Sequence, residues 1–300
     1  MSPSASVRGF ALIAAAHLCL GFALAPPALA QADAPALWKI SGPKGDIYLF
    51  GSFHLLPPDV QWRTPALRKA LSEAKSVVLE TDLAALQDPQ AMQALIRKFG
   101  LLPPGQTLSG VLEQQTYAEL EKVATELDLP PGQLSPLRPW LAALLMIMKS
   151  VERLGFNPND GVDQQIARWA AANGKALGSL ETPEAQFQVF AGLTPKEEAQ
   201  FMALSLLQIQ EAPQILNDIL AAYRKGDVTA MARTVNAGFD DFPVLRDRVL
   251  KARHDKWLPQ IEKMIAQGGT HVVVVGTGHL VGPDSIVAML RTKGVRIEGP

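Results

Sequence analysis

The sequence predicts an α/β fold: a central, mostly parallel sheet with an N-terminal β-hairpin and a large helical insertion. Three observations predict it. Short apolar runs alternate with helical periodicity towards both ends of the chain, the pattern of βα units. Four of those runs end in polar residues, as strands do where their C-terminal ends line a ligand crevice. The stretch from about residue 88 to 225 is too helical for simple alternation and reads as the insertion.

The first thirty residues read as a signal peptide. Arg8 is their only charge, an apolar stretch runs from Phe10 to Ala25, and Ala28-Leu29-Ala30 gives a small-x-small cleavage site. His17 and Pro26-Pro27 interrupt the run, which falls short of the roughly 20 apolar residues that span a bilayer. Cleavage after Ala30 is expected, and with it a periplasmic or secreted protein. Cys19, the only cysteine, leaves with the signal, and Ala16-His17-Leu18 before it is a poor lipidation site. Residues 31–300 then have neither disulfide nor thiolate chemistry. With 28 basic and 29 acidic residues and no basic run, nucleic acid is not expected as a partner. No later segment is long enough to span a membrane; Trp140 to Met148 is apolar but short. About 270 residues bury a substantial core, and they read as one α/β domain.

Leu37–Ile40 and Ile47–Phe50 flank Gly42-Pro43-Lys44-Gly45-Asp46 and predict the hairpin. Thr64-Pro65 caps a helix with Leu67, Ala70, Leu71 and Ala74 on one face. A strand, Ser76–Leu79, runs into Glu80-Thr81-Asp82. Helices follow from Asp88-Pro89 to Gly100 and over Leu137–Val151, then Val162–Ala172, which carries Trp169. A strand from Lys175 to Leu180 ends in Glu181-Thr182. Thr194-Pro195-Lys196-Glu197 opens a long helix to about Lys225 with a capping box. A helix over Val244–Gln267, a strand Thr270–Val275, a helix Asp284–Thr292 and a strand Val295–Glu298 complete the chain.

Two strand tips share one spelling: Gly51-Ser52-Phe53-His54-Leu55 and Gly276-Thr277-Gly278-His279-Leu280. Glycine lets the chain leave a strand in ways a β-carbon forbids, and the histidine then sits on the exit loop. With Glu80 and Glu181 at two other tips, neighbouring strands would bring two imidazoles and two or three carboxylates together. Such a set can hold a divalent metal that acidifies a bound water. It can equally run metal-free hydrolysis, with a carboxylate-oriented histidine as general base. The bland readings are a helix cap or solvated turn for each acid, a structural place for His271, and a solvent face for His254 in Arg253-His254-Asp255-Lys256. Trp38, Trp140 and Trp169 read as core. Gly276-Thr277-Gly278, with Glu298 about 20 residues on, mimics a dinucleotide fingerprint. Gly282 comes one residue late for it, and His279 sits where a pyrophosphate would approach.

These motifs resemble the TraB/GumN family, in the wider group of Tiki proteases, erythromycin esterases and ChaN-like proteins. The resemblance rests on Leu37-Trp38-Lys39, Tyr48-Leu49-Phe50-Gly51-Ser52-Phe53-His54 and Leu79-Glu80-Thr81-Asp82. It continues through Gly161-Val162-Asp163, Leu180-Glu181-Thr182-Pro183-Glu184-Ala185-Gln186 and Val275 to Gly282. It implies a ChaN/erythromycin-esterase-like fold and a site of His54, Glu80 and His279. Ser52 stands where threonine is common. Arg253 matches an arginine commonly followed by asparagine, here His254, and would clamp an oxyanion or a substrate carboxylate. Tiki relatives are metal-dependent peptidases, the esterases need no obligatory metal, and ChaN-like proteins bind haem. The resulting expectation is an exported hydrolase, a metal-dependent peptidase using Mn, Co or Zn on His54, Glu80 and His279. Glu181 would be a second acid or ligand, and the substrate a peptide or small molecule. The alternative is a non-catalytic periplasmic binding protein for a peptide, a metal or haem.

Overall fold

A computed structural model describes residues 34–237, 239 and 242–300; the expected signal segment and cleavage site lie outside them. The hairpin forms β1 (Leu37–Gly42) and β2 (Gly45–Ser52), paired antiparallel with Leu37 opposite Phe50. Three further strands are β3 (Ser76–Thr81), β4 (Ala176–Glu181) and β5 (His271–Gly276). The sheet order is β1-β2-β5-β3-β4, and all pairings except β1-β2 are parallel. β5 is central, so Val272–Val275 are fully buried, the continuous apolar run of a strand covered on both faces. β4 is an edge strand, with residues 176–179 exposed.

The parallel pairings put the C-terminal ends of β2, β5, β3 and β4 on one edge of the sheet. The helix Pro65–Glu73 buries Leu67, Ala70 and Leu71 under a Thr64 cap, and Val162–Ala172 buries Val162, Ile166 and Ala170. Both contribute to the sheet core, with Trp38, Phe50 and Trp257. A second core is built from helices between residues 96 and 249, including Leu120, Trp140, Met146, Met202 and Leu206. The helix Pro195–Lys225 serves both, since Phe201 and Met202 join the second core while Leu220 and Tyr223 join the sheet core.

Some sequence expectations change. Val295–Glu298 forms no strand: Glu298 makes only an isolated bridge to Lys39 on the outer side of β1. The helix expected over 244–267 is divided into Pro243–Arg246, a π-helical turn Asp247–Lys251, and Ala252–Gln267. Trp169 is half-buried against the sheet core, where Trp38 and Trp140 are 1% exposed.

Candidate active site

The two Gly-x-x-His turns are neighbours because β2 and β5 pair in register, Ser52 opposite Gly276. A β-carbon on Gly51 would fall 2.7 Å from the Thr277 hydroxyl, so glycine is what lets the turns touch. The Thr277 hydroxyl donates to the Ser52 carbonyl at 3.1 Å, locking the turns together. Behind the first turn, the Tyr223 hydroxyl donates to the Gly51 carbonyl at 3.0 Å.

His54 leaves the first turn with 51% of its side chain accessible. Its Nδ1 lies 3.1 Å from Asp163 Oδ2, and the Ser52 hydroxyl donates to Asp163 Oδ1 at 2.9 Å. Asp163 reaches this place because Gly161, before the helix Val162–Ala172, packs against the His54 carbonyl, where a β-carbon would lie at 2.2 Å. The Val162 amide then donates to the Phe53 carbonyl at 2.9 Å. Partial desolvation pulls the His54 pKa down, but the hydrogen bond and charge of Asp163 outweigh it and raise the value to about 9. Asp163 moves the other way: burial opposes ionisation, and the bonds from His54 and Ser52 hold it below its ordinary range.

His279 is the opposite case, with 6% of its side chain accessible. Arg253 Nη1 donates to its Nε2 at 3.1 Å, and its Nδ1 lies 2.9 Å from His254 Nε2. His254 Nδ1 lies 3.0 Å from the Asp284 carbonyl. Arginine can only donate, so Nε2 of His279 accepts and its proton sits on Nδ1. That proton faces His254 Nε2, so the His254 proton sits on Nδ1 and points at the Asp284 carbonyl. Both imidazoles are therefore neutral in a single consistent chain. Burial lowers both pKa values, aided by the Arg253 charge: His254 to about 4 and His279 well below its ordinary value. His254 is thus 1% exposed and part of the site, correcting its reading as a solvent face. The buried residues Arg253, His254, Trp257, Leu258 and Ile261 share one helical stripe, and the last three spell it in the sequence.

Arg253 is the hub. It donates through Nε to Glu181 Oε2 at 3.1 Å, through Nη2 to Glu80 and Glu181, and through Nη1 to His279 and the Val249 carbonyl. Those are all five N–H groups of a guanidinium. The Val249 carbonyl belongs to the π-helical turn, which leaves it pointing at the arginine. The guanidinium also lies 4.5 Å from the Trp257 ring centroid. A clamp on an oxyanion or substrate carboxylate therefore requires Arg253 to exchange one of these five bonds.

Glu80 Oε2 accepts from the Gly276 amide at 2.9 Å, and Oε1 accepts from Gln186 at 3.1 Å besides Arg253. Burial opposes its ionisation, yet Arg253 and the neighbouring imidazoles hold its pKa far below the usual carboxylate range. The site comes together beside Gly276. A β-carbon there would meet His54 Nε2 at 3.3 Å, Glu80 Oε2 at 3.4 Å and His279 Cδ2 at 3.5 Å. Sequence reasoning placed His54, Glu80, Glu181 and His279 at strand ends and took Arg253, on a helix, from the family resemblance; the structure brings all five together. It missed Asp163, Gln186 and Tyr223 as members of the site. His271, at the far end of β5, accepts from the Ser76 hydroxyl at 2.7 Å and lies 3.3 Å from the Gly268 carbonyl, away from the site.

The suggested metal set was His54, Glu80 and His279. Only His54 Nε2 and Glu80 Oε2 offer donor atoms to the space beside Gly276, because His279 presents a carbon there and gives its lone pair to Arg253. Among the described residues no three histidine, cysteine or acidic side chains are grouped to hold a metal ion. In this arrangement the residues do not fit a three-ligand metal site.

A parallel sheet with imidazoles and carboxylates gathered at its strand C-termini defines an α/β protein with the equipment for acid–base chemistry. The chain belongs to the TraB/PrgY/gumN family, whose model matches residues 36–299. It is 22% identical over 244 residues to the uncharacterized protein YbaP of Escherichia coli strain K12, covering 81% of this chain and 87% of YbaP. An uncharacterized protein of Treponema pallidum is 21% identical over 291 residues, 89% of this chain and 83% of that protein. The zebrafish (Danio rerio) protein named metalloprotease TIKI2 is 21% identical over 315 residues, 87% of this chain and 60% of TIKI2. No solved structure matches the chain significantly.

Proposed function

We propose that this protein is an exported hydrolase that splits amide or ester bonds with water activated by His54. The observation that carries this reading is the meeting of His54 Nε2 and Glu80 Oε2 beside Gly276, with His54 oriented from behind by Asp163. A carboxylate that accepts from Nδ1 fixes the ring and its tautomer and leaves Nε2 as the working atom. Water held between Nε2 and Glu80 Oε2 loses a proton to His54 as it attacks the carbonyl carbon. The imidazolium then returns that proton to the leaving nitrogen or oxygen. The hydroxyls in the turns are committed elsewhere, Ser52 to Asp163 and Thr277 to the Ser52 carbonyl, so water is the nucleophile. Arg253 supplies a fixed positive charge behind Glu80. Peptides are the proposed substrates, an extension from the relative named a metalloprotease. A metal bound by His54, Glu80 and His279 would first need His279 to give up Arg253.

Residues 31–300, purified and assayed on a fluorogenic peptide library and nitrophenyl esters, are expected to hydrolyse at least one class. His54→Ala and Asp163→Ala should lose that turnover with an unchanged circular dichroism spectrum. Wild-type turnover in His54→Ala would end the proposal. Export is checked separately: the full-length chain, expressed with a C-terminal tag, should reach the periplasm or medium and begin at Gln31.

A further inference from the structure

Two of the residues expected to bind a metal, Glu80 and His279, together with Glu181, surround Arg253 instead. Its Nη2 contacts both Glu80 and Glu181, and its Nη1 donates to His279 Nε2 at 3.1 Å. The three acceptors come from the ends of β3, β4 and β5, so the sheet itself fixes them around one point. That point is enclosed: the side chains of Arg253, Glu80, Glu181 and His279 are between 6% and 10% accessible. Two carboxylates and an imidazole aimed at a single enclosed centre make a mixed oxygen and nitrogen set of the kind that suits Mn or Zn. Two buried carboxylates also require a positive partner, since an uncompensated buried charge is strongly unfavourable.

We infer that Arg253 is the built-in cation of this centre, occupying the place a divalent metal would take between Glu80, Glu181 and His279. Arg253 is in this respect a positioning residue. It bridges both carboxylates, and by donating to Nε2 it fixes the proton of His279 on Nδ1, facing His254. Two consequences follow. In the wild-type centre the guanidinium stands where a divalent ion would sit. Removing the guanidinium uncovers a latent site in which the acceptors need close only from hydrogen-bond distance to the roughly 2.0–2.2 Å of nitrogen and oxygen ligation. The inference rests on donor geometry alone, so the hydrolase reading can fail without touching it.

The test uses residues 31–300 as wild type, Arg253→Met and Arg253→Lys, purified from medium supplemented with Mn and Zn. Elemental analysis, calorimetry with MnCl2 or ZnCl2, and thermal melting with and without EDTA are compared. The wild type should carry no stoichiometric ion, and its melting temperature should not respond to either ion or to chelator. Arg253→Met should bind about one ion per chain, with a melting temperature that rises with ion concentration. Adding His279→Ala to Arg253→Met should abolish that binding. If Arg253→Met does not fold even with metal present, the wild type and Arg253→Lys decide, and both should be metal-free. A stoichiometric ion in the wild type that disappears in His279→Ala overturns the inference. So does a folded Arg253→Met that binds no ion.

Discussion

His54 and His279 each stand three residues after a glycine that closes a strand, and those strands lie side by side in parallel register. One keeps 51% of its side chain accessible and leans on a carboxylate; the other keeps 6% and is wedged between a guanidinium and a second imidazole. The Asp163 charge stabilises the His54 proton, whereas burial and Arg253 expel the proton from the His279 acceptor nitrogen. The same five-residue spelling thus yields one histidine that exchanges protons with the outside and one that does not. What separates them lies far away in sequence, on the helices beginning at Val162 and Ala252. Division of labour between two like residues is set by environment, as for paired acids in hydrolases generally.

The largest expected effect separates the two on turnover. His54→Ala should lower kcat/KM by about 10²–10⁴-fold, the usual worth of a positioned general base, because no other group takes over from its Nε2. Its urea midpoint should fall only modestly, because half of that ring already faces solvent, and the loss should shrink as pH rises through about 9. Steady-state kinetics and denaturation on one preparation check both halves. A variant that loses stability and keeps its rate would invert the assignment.

The pH profile sharpens the contrast next. With His54 at about 9, roughly 1% of it is the free base at pH 7, so kcat/KM should climb about 100-fold with unit slope before levelling near pH 9. Asp163→Asn should shift that inflection towards lower pH and lower the plateau. A profile flat between pH 7 and 9 would remove His54 as the base. Stability follows its own signs. Free imidazoles titrate near 6.5, so the His54–Asp163 bond contributes fully below that pH and fades as pH rises through about 9. His254, depressed to about 4, works in reverse: the folded state loses ground as pH falls from 6.5 towards 4, where the unfolded chain alone takes up the proton.

His279→Ala should show its effect mainly in stability. It leaves an Arg253 donor and His254 Nε2 without their partner in a buried place, at a cost of about 2–4 kcal/mol. Urea unfolding measures it. A cost no greater than that of His54→Ala would mean that the two histidines are less different than their surroundings.

Much of this was legible in the sequence for a simple reason. Strands announce themselves as apolar runs, and the parallel pairing of β2, β5, β3 and β4 puts every polar residue that follows such a run on one edge. His54, Glu80, Glu181 and His279 were found that way. Asp163 was not, because it opens a helix rather than ending a strand, and an acid in a first helical turn is ordinary. Its signal was Gly161, needed for close approach to the His54 carbonyl, and such a contact is invisible without the fold. His254 was misread because the run Arg-His-Asp-Lys looks solvated, although Trp257, Leu258 and Ile261 put it on the buried stripe. Tyr223 lies at the end of a 31-residue helix whose register over the sheet no local pattern reveals. Val295–Glu298 has strand-like residues, but only Glu298 meets the outer edge of β1, and that single bridge is a property of the whole sheet rather than of the local sequence.

The smallest expected effect lies behind the exposed histidine. The Ser52 hydroxyl donates to Asp163 Oδ1 at 2.9 Å and, at 3% exposure, has no water to replace it. Ser52→Ala removes one of the bonds that hold Asp163 as an anion, so stability should fall by about 1 kcal/mol. The carboxylate that orients His54 would then be held by one partner fewer, and kcat/KM should drop by roughly the fivefold that such an energy represents. Ser52→Thr keeps the hydroxyl and should restore both. The matching change in the other turn, Thr277→Ser, keeps its bond to the Ser52 carbonyl and should leave the rate unchanged. Equal rates for Ser52→Ala and wild type would mean that Asp163 holds His54 without help, and that the first turn differs from the second by that one carboxylate alone.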